Sequence, residues 1–192
     1  MKNNFQIIAS LLDLQASTEV SKESVKALTK SRQRVIVLAR AYDHLYASKD
    51  LTHIGARDYL TSMVSGYAVE LSAGSKNISL ALAIEEITLG SDQAGSCGQI
   101  VSELISNSLS HAFPDGRSGT IEISLHRANE NSICLAVSDD GIGLPAHFDI
   151  EQENALGLKF VSVYAQKLGG ELNVGDGAKT VFQVSFLESL AA

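Results

Sequence analysis

The pattern of apolar and polar residues predicts helices in the first third of the chain. Apolar residues recur at a helical period in FQIIASLLDLQ, and again from about Lys22 to Tyr46. The small and hydroxyl residues of ASTEVSKES interrupt the pattern and predict a bend. Two such helices with a short connection predict an antiparallel hairpin. Because a hairpin cannot bury its apolar stripe alone, we expect a second copy to complete a four-helix bundle.

The next stretch, SKDLTHIG, is typical of a linker, and a third amphipathic helix is predicted from Ala56 to Ser72. The pattern then changes. ISLALAIEEITL alternates like a strand pair, and GTIEISLHRA and NSICLAVSDD predict two strands separated by the turn NEN. GELNVGDGAKTVFQVSF predicts a final hairpin with Gly-Asp-Gly at its tip.

Two helices are predicted between these strands. One runs from Cys97 to His111 into a Pro-Asp-Gly turn, and the other covers GLKFVSVYAQKLGG, which glycine closes. Strands interleaved with a few helices indicate helices packed on one face of a mixed sheet. The predicted fold class is therefore α+β. It consists of a dimerisation hairpin at residues 1–50 and a two-layer α/β sandwich at residues 51–192.

Composition and charge exclude several classes of protein. The chain has 192 residues, of which 45% are hydrophobic and 19% charged, so a folded globular protein is expected. The formal net charge of −7 argues against nucleic acid or an anionic membrane as the main partner. Cys97 and Cys134 follow no metal-ligand spacing and indicate buried thiols in a reducing compartment. No apolar run could span a bilayer and no signal peptide is visible, which predicts a cytoplasmic location.

One predicted helix carries polar residues on a single stripe. In SELISNSLSHAFPDG, Glu103, Asn107 and His111 follow each other at intervals of four, which places them on one helical face. Asn is a poor helix former, so Asn107 in the middle of a helix favours a function over a solvated surface. His111 has an open alternative, which is to cap or pack near the following turn.

Three further stretches have chemistry of their own. In SDDGIGLP, Asp139 ends a strand before Gly141 and Gly143, which gives a fixed carboxylate and a backbone that a ligand can approach closely. In NALGLKFV, Gly157 opens a helix whose backbone N–H groups suit a phosphate. In AKTVFQVSF, Thr180 lies near the start of the last strand. We interpret Asp140 as a turn former.

The ordered motifs Glu-x-x-x-Asn, Asp-x-Gly-x-Gly, Leu-Gly-Leu and a Thr-initiated strand resemble the ATP-binding domain of sensor histidine kinases. That domain belongs to the superfamily shared with gyrase, Hsp90 and MutL, called GHKL. NSLSHAFPDGRSGTIEISL resembles the subgroup of bacterial kinases whose phosphoacceptor box reads His-Arg-x-Lys-Asn-Asn. MKNNFQIIASLLDLQ resembles the continuation of that box, and ARAYDHLYASKDL resembles its second hairpin helix. The resemblance covers nearly the whole chain.

The resemblance implies ATP and Mg²⁺ as ligands. It implies that Asp139 accepts a hydrogen bond from the adenine amino group and that Asn107 coordinates Mg²⁺. Glu103 would lie near the γ-phosphate, where it would accept a proton from the attacking imidazole or orient a water. The remaining nucleotide contacts implied are His111, Gly141, Gly143, Leu156, Gly157, Leu158 and Thr180, with residues 144–156 as a short lid. Partners implied are a second copy and a response regulator docked around residues 4–14.

The chain departs from the family pattern at its start. The match begins at Met1, so the phosphoacceptor His and its Arg would precede the first residue. We expect that the polypeptide as given cannot phosphorylate itself, and we favour a shortened chain over a degenerate relative. Ala155 replaces a Gly or Ser common in the family. His44, at a family position, is interpreted as a packing residue, with a substitute acceptor as the alternative, and His53, His126 and His147 show no metal spacing.

Three functions remain open from the sequence. The first is an ATP-dependent protein-histidine kinase that passes phosphate to an Asp of a response regulator. The second is a catalytically silent pseudokinase or scaffold that dimerises and docks a regulator. The third is a serine kinase acting on anti-sigma antagonists, which leaves the N-terminal hairpin unexplained.

Overall fold

The N-terminal quarter of the chain forms the predicted helical hairpin. The computed structural model describes residues 2–47, 53–73, 77–145, 148, 156–175 and 179–188. Helix α1 spans Lys2–Thr18 and helix α2 spans Lys22–Ala47. The hydroxyl of Ser21 accepts a hydrogen bond from the backbone N–H of Ser24 at 3.3 Å, which caps the start of α2. Across the hairpin, Arg32 Nε donates to Asp13 Oδ2 at 2.7 Å. The two helices and the bend between them are confirmed.

The remaining elements alternate between helix and strand. In chain order they are β1 His53–Gly55, α3 Ala56–Ala73, β2 Ile78–Ile84, β3 Thr88–Gly90, α4 Ser91–His111, a 3₁₀ turn at Pro114–Gly116, β4 Gly119–Asn129, β5 Ser132–Asp139, α5 Leu156–Lys167, β6 Glu171–Gly175 and β7 Thr180–Leu187. The β4–β5 and β6–β7 hairpins are confirmed as antiparallel pairs. The tip of the second hairpin, at residues 176–178, lies outside the described residues.

Five strands form one mixed sheet in the order β2-β4-β5-β7-β6. The β2–β4 pair is parallel and the other pairs are antiparallel. Along β7, Thr180, Phe182, Val184 and Phe186 are buried, whereas Gln183 and Ser185 on the opposite face are exposed. The alternation shows that helices cover one face of the sheet and that the other face is in contact with solvent. The α+β prediction is therefore confirmed.

Two details of the sequence prediction are wrong. ISLALAIEEITL contains two strands, but they do not pair with each other. Strand β2 joins the large sheet beside β4, and β3 pairs with β1 in a separate two-stranded sheet. The second error concerns the predicted linker at residues 48–55, because its last three residues form strand β1. Residues 48–52 lie outside the described residues. Short strands whose partners are distant in sequence leave no local pattern.

Helix α2 packs against helix α4, so the hairpin contacts the second part of the chain. Val37 of α2 is fully buried. Gly98 of α4 allows this approach, because an added Cβ would lie 3.1 Å from Val37 Cγ1 and would overlap the Tyr59 hydroxyl of α3. The division of the chain at residue 50 remains a prediction.

Cys97 and Cys134 are free and buried, as the sequence predicted. Burial raises the pKa of the Cys97 thiol to about 12. Among the helices in the described ranges, none has the length and apolar character needed to cross a membrane.

Candidate functional site

The polar stripe of α4 runs from the interior of the protein to its surface. Glu103 is buried, Asn107 is half-buried and His111 is exposed at the end of the helix. After His111 the backbone N–H of Ala112 still donates to the Ser108 carbonyl at 2.9 Å, and the chain then turns at Pro114–Gly116. The stripe therefore forms one wall of a site that opens toward the end of α4.

Gly157, at the start of α5, lies against the deep part of this stripe. An added Cβ would lie 3.1 Å from Glu103 Oε2 and 3.2 Å from Asn107 Oδ1. Among the described residues, Glu103 Oε2 is buried and has no hydrogen-bond partner. Three residues that the sequence predicted to share a site are thus in one place. Two oxygen atoms meet there beside the first turn of a helix, which suits a ligand that brings a cation and phosphate groups.

Asp139 contacts the residue that follows Asn107 in α4. Ser108, the neighbour of Asn107, donates its hydroxyl to Asp139 Oδ2 at 2.8 Å. The backbone N–H of Gly141 donates to Asp139 Oδ1 at 3.1 Å. The carboxylate is buried, and both of its oxygens are held by the protein. The Asp139 carboxylate is therefore fixed in orientation.

The Gly-x-Gly segment after Asp139 packs directly on the end of α4. Ile142 donates its backbone N–H to the Ala112 carbonyl at 3.0 Å. A Cβ on Gly141 would lie 2.5 Å from that same carbonyl oxygen, so a larger residue would force the segment away from α4. Gly143 has a φ of +80°, which favours glycine. Both glycines are therefore needed for the conformation of the backbone beside the site.

The remaining predicted contacts differ in burial. Thr180 is buried and lies opposite Asp139 in the β5–β7 register. Leu158 is buried in the core, whereas Leu156 is exposed at the first position of α5. The greater part of the predicted lid, including His147 and Ala155, lies outside the described residues, as does the side chain of His44.

Asp140 has a structural position, in keeping with its interpretation as a turn former. Its Oδ1 accepts a hydrogen bond from the backbone N–H of Thr120 at 2.7 Å, and its carbonyl accepts one from Arg117 at 3.0 Å. These contacts tie the end of β5 to the start of β4. They leave Asp139 as the carboxylate directed toward α4.

The sequence did not predict the involvement of Arg34, Phe160 or Ser108. Arg34 Nε of α2 donates to Glu103 Oε1 at 2.5 Å, and its guanidinium carbon lies 3.9 Å from the centre of the Phe160 ring of α5. Ser108 follows the predicted residue Asn107, and its hydroxyl in a buried helix could have indicated a polar contact. Arg34 is 69 residues from its partner, and its position in a helical stripe gave no indication of this contact.

The charges of Arg34 and Glu103 also affect the pKa of a neighbouring tyrosine. Burial raises the pKa of Tyr164 on α5, Arg34 opposes this rise, and Glu103 adds to it. Within the described ranges, no group of three or more His, Cys, Asp or Glu residues could hold a metal ion by itself. Asn107 Oδ1 nevertheless fits a Mg²⁺ that takes its other ligands from phosphate and water, while Glu103 Oε2 beside it has no partner among the described residues.

Two protein families match the chain. The family described as "Histidine kinase" matches residues 1–69. The family described as "Histidine kinase-, DNA gyrase B-, and HSP90-like ATPase" matches residues 93–189, which include every candidate residue of α4, β5, α5 and β7.

Individual relatives match over most of the chain. The sensor histidine kinase PdtaS of Mycobacterium tuberculosis is 30% identical over 178 residues, which are 92% of this chain and 35% of that protein. Blue-light-activated histidine kinase 2 of Erythrobacter litoralis is 29% identical over 92% of this chain and 51% of that protein. The chain thus spans about a third to a half of the length of these relatives.

Solved structures show the same fold. The blue-light activated histidine kinase of Erythrobacter litoralis has a TM-score of 0.72 and 27% identity over 89% of this chain and 57% of that chain. A histidine kinase domain from the same organism has a TM-score of 0.71 at 24% identity, with 96% of this chain and 95% of that chain covered. From the matched families, the relatives and the shared fold, the chain belongs to the histidine kinase-, DNA gyrase B- and HSP90-like ATPases and, with its N-terminal helices, to the two-component sensor histidine kinases.

Proposed function

We propose that this chain is a kinase core that binds Mg-ATP between α4, α5 and the end of β5, phosphorylates a histidine, and passes the phosphate to an Asp of a response regulator. One observation carries the proposal. Asn107 and Ser108 are consecutive residues of α4, and they contact the Gly157 side and the Asp139 side of the same site. A ligand with a base at one end and phosphates at the other spans that arrangement.

Asp139 is the proposed adenine contact. A buried carboxylate whose orientation is fixed by Ser108 and Gly141 accepts a hydrogen bond from an exocyclic amino group with little loss of side-chain entropy. Gly143, where an added Cβ would meet nothing within 4 Å, allows the base to lie close to the backbone, and Gly141 keeps this segment packed on the end of α4. Thr180 lies opposite Asp139 on β7 and completes this end of the site.

Asn107 and Gly157 are the proposed contacts at the phosphate end. Asn107 presents an oxygen that suits Mg²⁺, and the backbone at Gly157 has room for phosphate oxygens because it lacks a Cβ. His111 and Leu156, exposed at the rim, would contact the nucleotide from outside, and Leu158 anchors the first turn of α5 in the core. When bound, Mg²⁺ neutralises charge on the phosphates.

Glu103 is the proposed acid–base group. Its Oε2 faces Gly157 and Asn107, where the phosphoryl group would be transferred, and it has no partner within the described residues. A carboxylate in that position accepts the proton that the attacking imidazole loses. Arg34, which holds Oε1, fixes the side chain that presents Oε2.

The hairpin is the proposed surface for both macromolecular partners. Helix α1 exposes four large apolar side chains to solvent, each by 45–64%: Ile7, Ile8, Leu11 and Leu14. Exposed apolar side chains grouped in this way are typical of a surface that binds another protein. A second copy would cover part of this surface and form a four-helix bundle. The response regulator would dock around residues 4–14.

Calorimetry with ATP and Mg²⁺ tests nucleotide binding. Asp139→Asn should weaken the affinity by roughly 10- to 100-fold, because the amide cannot provide the charge-assisted bond. Asp115→Asn is the matched control, since Asp115 is exposed in the nearby turn at a φ of 54°, which Asn tolerates. Retained affinity in Asp139→Asn would contradict the adenine assignment. No heat of binding with the unaltered chain would favour the scaffold.

A chain extended upstream by the expected His-Arg pair tests the kinase activity. We expect the extended chain to incorporate phosphate from ATP, and the 192-residue chain to bind ATP without becoming labelled. A further variant with Ala in place of the added His is the control. If the extended chain binds ATP yet never becomes labelled, the histidine kinase assignment is wrong.

A further inference from the structure

Strand β2 lies at one edge of the five-stranded sheet, where β4 is its only neighbour among the described strands. The Asn77 carbonyl accepts a hydrogen bond from β4 at 3.2 Å, and the Glu85 N–H donates one to β4 at 2.9 Å. In a parallel pair, alternate residues bond the neighbouring strand, so the odd-numbered residues of β2 turn their backbone groups toward β4. The even-numbered residues at positions 78–84 turn theirs outward, and a row of backbone donors and acceptors lines this edge.

The exposure of Leu82 shows that this edge is open to solvent. Leu82 is in register with Ile123 of β4, so both side chains lie on the helical face of the sheet. Ile123 is fully buried, whereas Leu82 is 39% exposed. On the other face of the strand, Ser79, Ala81 and Ala83 are exposed. An apolar edge strand that is accessible in this way suits pairing with another strand.

The opposite edge of the sheet has features that discourage such pairing. Strand β6 has only five residues, begins with the exposed acid Glu171 and ends with Gly175. Strand β2 has seven residues, and none of them is charged. Short length and charged side chains are two means by which proteins keep edge strands from pairing with other chains. Because β2 has neither, it is the edge of this sheet that is suited to a partner.

The sequence of β2 identifies the partner as a second copy of the same strand. ISLALAI reads almost the same in both directions from its central residue, Ala81. Two copies that run antiparallel about a two-fold axis at Ala81 place Ile78 opposite Ile84 and Leu80 opposite Leu82. Small residues likewise face small residues on the other side of the strand. A contact between identical surfaces of this kind closes with two copies.

The backbone and the charges fit the same register. Leu80 and Leu82 turn their backbone groups outward, so they can form a hydrogen-bonded pair across the two copies. Ala81 then forms a non-hydrogen-bonded pair with its own counterpart, in which the Cα atoms are about 4.5 Å apart. The first acid after the strand, Glu85, faces Asn77 of the second copy, whose amide can donate to a carboxylate. The register therefore brings no like charges together.

We propose that β2 is a second surface for self-association, at which two copies join their sheets edge to edge through antiparallel pairing centred on Ala81. The contact is separate from the one proposed for α1, needs no nucleotide and does not rest on the proposed function. One strand from each copy buries less area than the roughly 1,200 Å² of a stable interface, so the contact is weak by itself. It gains strength where copies are already held close together.

Disulfide cross-linking tests the pairing and its register. Cys97 and Cys134 are buried, so a cysteine introduced on the exposed face of β2 provides the accessible thiol. Ala81→Cys should cross-link rapidly to its own counterpart, because a Cα separation of about 4.5 Å is within the range of a disulfide. Ser79→Cys, on the same face of the strand, is the matched control. Its counterpart would lie about 13 Å away, so its cross-linking should be at least about ten-fold slower.

A mixture of Ser79→Cys and Ala83→Cys gives a second test of the register. These positions face each other across the two copies, so the mixed disulfide should form about as fast as the one in Ala81→Cys. A size tag on one variant identifies the mixed product. Equal rates for Ala81→Cys and Ser79→Cys would overturn the proposal, because random collisions do not distinguish positions on one face. A mixture that reacts no faster than its separate components would overturn it as well.

Charge substitutions at the two-fold axis test the contact without a covalent bond. Ala81→Lys and Ala81→Glu each place like charges opposite one another, so each should lower the association constant at least about three-fold, and an equimolar mixture should restore it. Sedimentation of the chain with Leu11→Lys and Leu14→Lys isolates this contact from the one proposed for α1. Gln183→Lys, exposed on the same face of the sheet in β7, is the control and should have no effect. Absence of association at high protein concentration, or equal constants for Ala81→Lys and Gln183→Lys, would overturn the proposal.

Discussion

At the scale of single residues, the site depends on side chains whose polar atoms are held by neighbours. Ser108 and Gly141 each occupy one oxygen of Asp139, so the carboxylate has a single orientation. Glu103 differs, because Arg34 holds one of its oxygens while the other has no partner among the described residues. A buried oxygen without a partner costs free energy unless a ligand satisfies it. Under the proposed function, this oxygen lies where a reacting group would bind.

A residue-scale prediction concerns pH and Cys97, whose pKa burial raises from 9.0 to about 12. Between these values the unfolded thiol loses its proton while the folded thiol keeps it. The unfolded state then binds fewer protons, so the free energy of unfolding falls as pH rises, by up to about 1.4 kcal/mol per pH unit. Below pH 9 this group makes no difference to the pH dependence.

Urea unfolding at pH 8 and pH 10, under reducing conditions, measures the effect. Cys97→Ala is the control, since it removes the titrating group from the same position on α4. We expect the parent chain to lose roughly 1 kcal/mol more than Cys97→Ala between the two pH values. Equal losses in both proteins would show that the Cys97 thiol ionises in the folded state as easily as in the unfolded one.

At the scale of elements, α4 is the centre of the site because it contacts the hairpin on one side and the sheet on the other. It begins at Ser91, six residues before the predicted start at Cys97. Gly95 and Gly98 weaken the local helical preference, which explains the late predicted start. Packing against α2 and α3 extends the helix through these glycines, and at Gly98 that packing requires the absence of a side chain.

Gly98→Ala should therefore destabilise the protein by about 1–3 kcal/mol, since its Cβ would overlap the Tyr59 hydroxyl and crowd Val37. Gly95→Ala is the matched change on the same helix. An added Cβ there meets nothing within 4 Å, so its helix propensity should stabilise the protein by up to about 1 kcal/mol. Thermal or urea unfolding compares the two. The same effect at both positions would contradict the close approach of α2, α3 and α4.

At the scale of the whole molecule, one apolar core joins the sheet, its helices and Val37 of α2, whereas α1 exposes apolar side chains. Val37 of α2 is buried against α4, but Leu11 and Leu14 of α1 are 59% and 64% exposed. The exposed leucines of α1 are therefore the surface that we propose for a second copy.

Replacing Leu11 and Leu14 together by lysine should weaken dimerisation at least about ten-fold, because each buried leucine contributes about 1.5–3 kcal/mol. Val20→Lys is the control, since Val20 is 95% exposed in the turn between the helices. Sedimentation velocity over a range of protein concentrations measures the change. If the double variant dimerises as the parent does, the contact between copies lies elsewhere.

The sequence by itself determined the helices, the strands of the hairpins and the motifs of the site. Periods of two and of about 3.6 residues are local properties, so α1, α2, β4, β5 and β7 followed from the pattern of apolar residues. The spacing of Glu103 and Asn107 on one helical face was equally local. The motif around Asp139 and the glycine at position 157 identified the family from which the fold followed.

Only the tertiary structure decided which elements meet. The parallel β2–β4 pair and the small β1–β3 sheet join residues that are 33–41 positions apart. Ser108 meets Asp139 across 31 residues, and Arg34 meets Glu103 across 69. Each of these contacts depends on how several buried surfaces pack at once, and no periodic pattern in one segment specifies the segment it will face. For that reason the sequence predicted the residues of the proposed nucleotide site, whereas the contact of Arg34 with Glu103 was visible only in the structure.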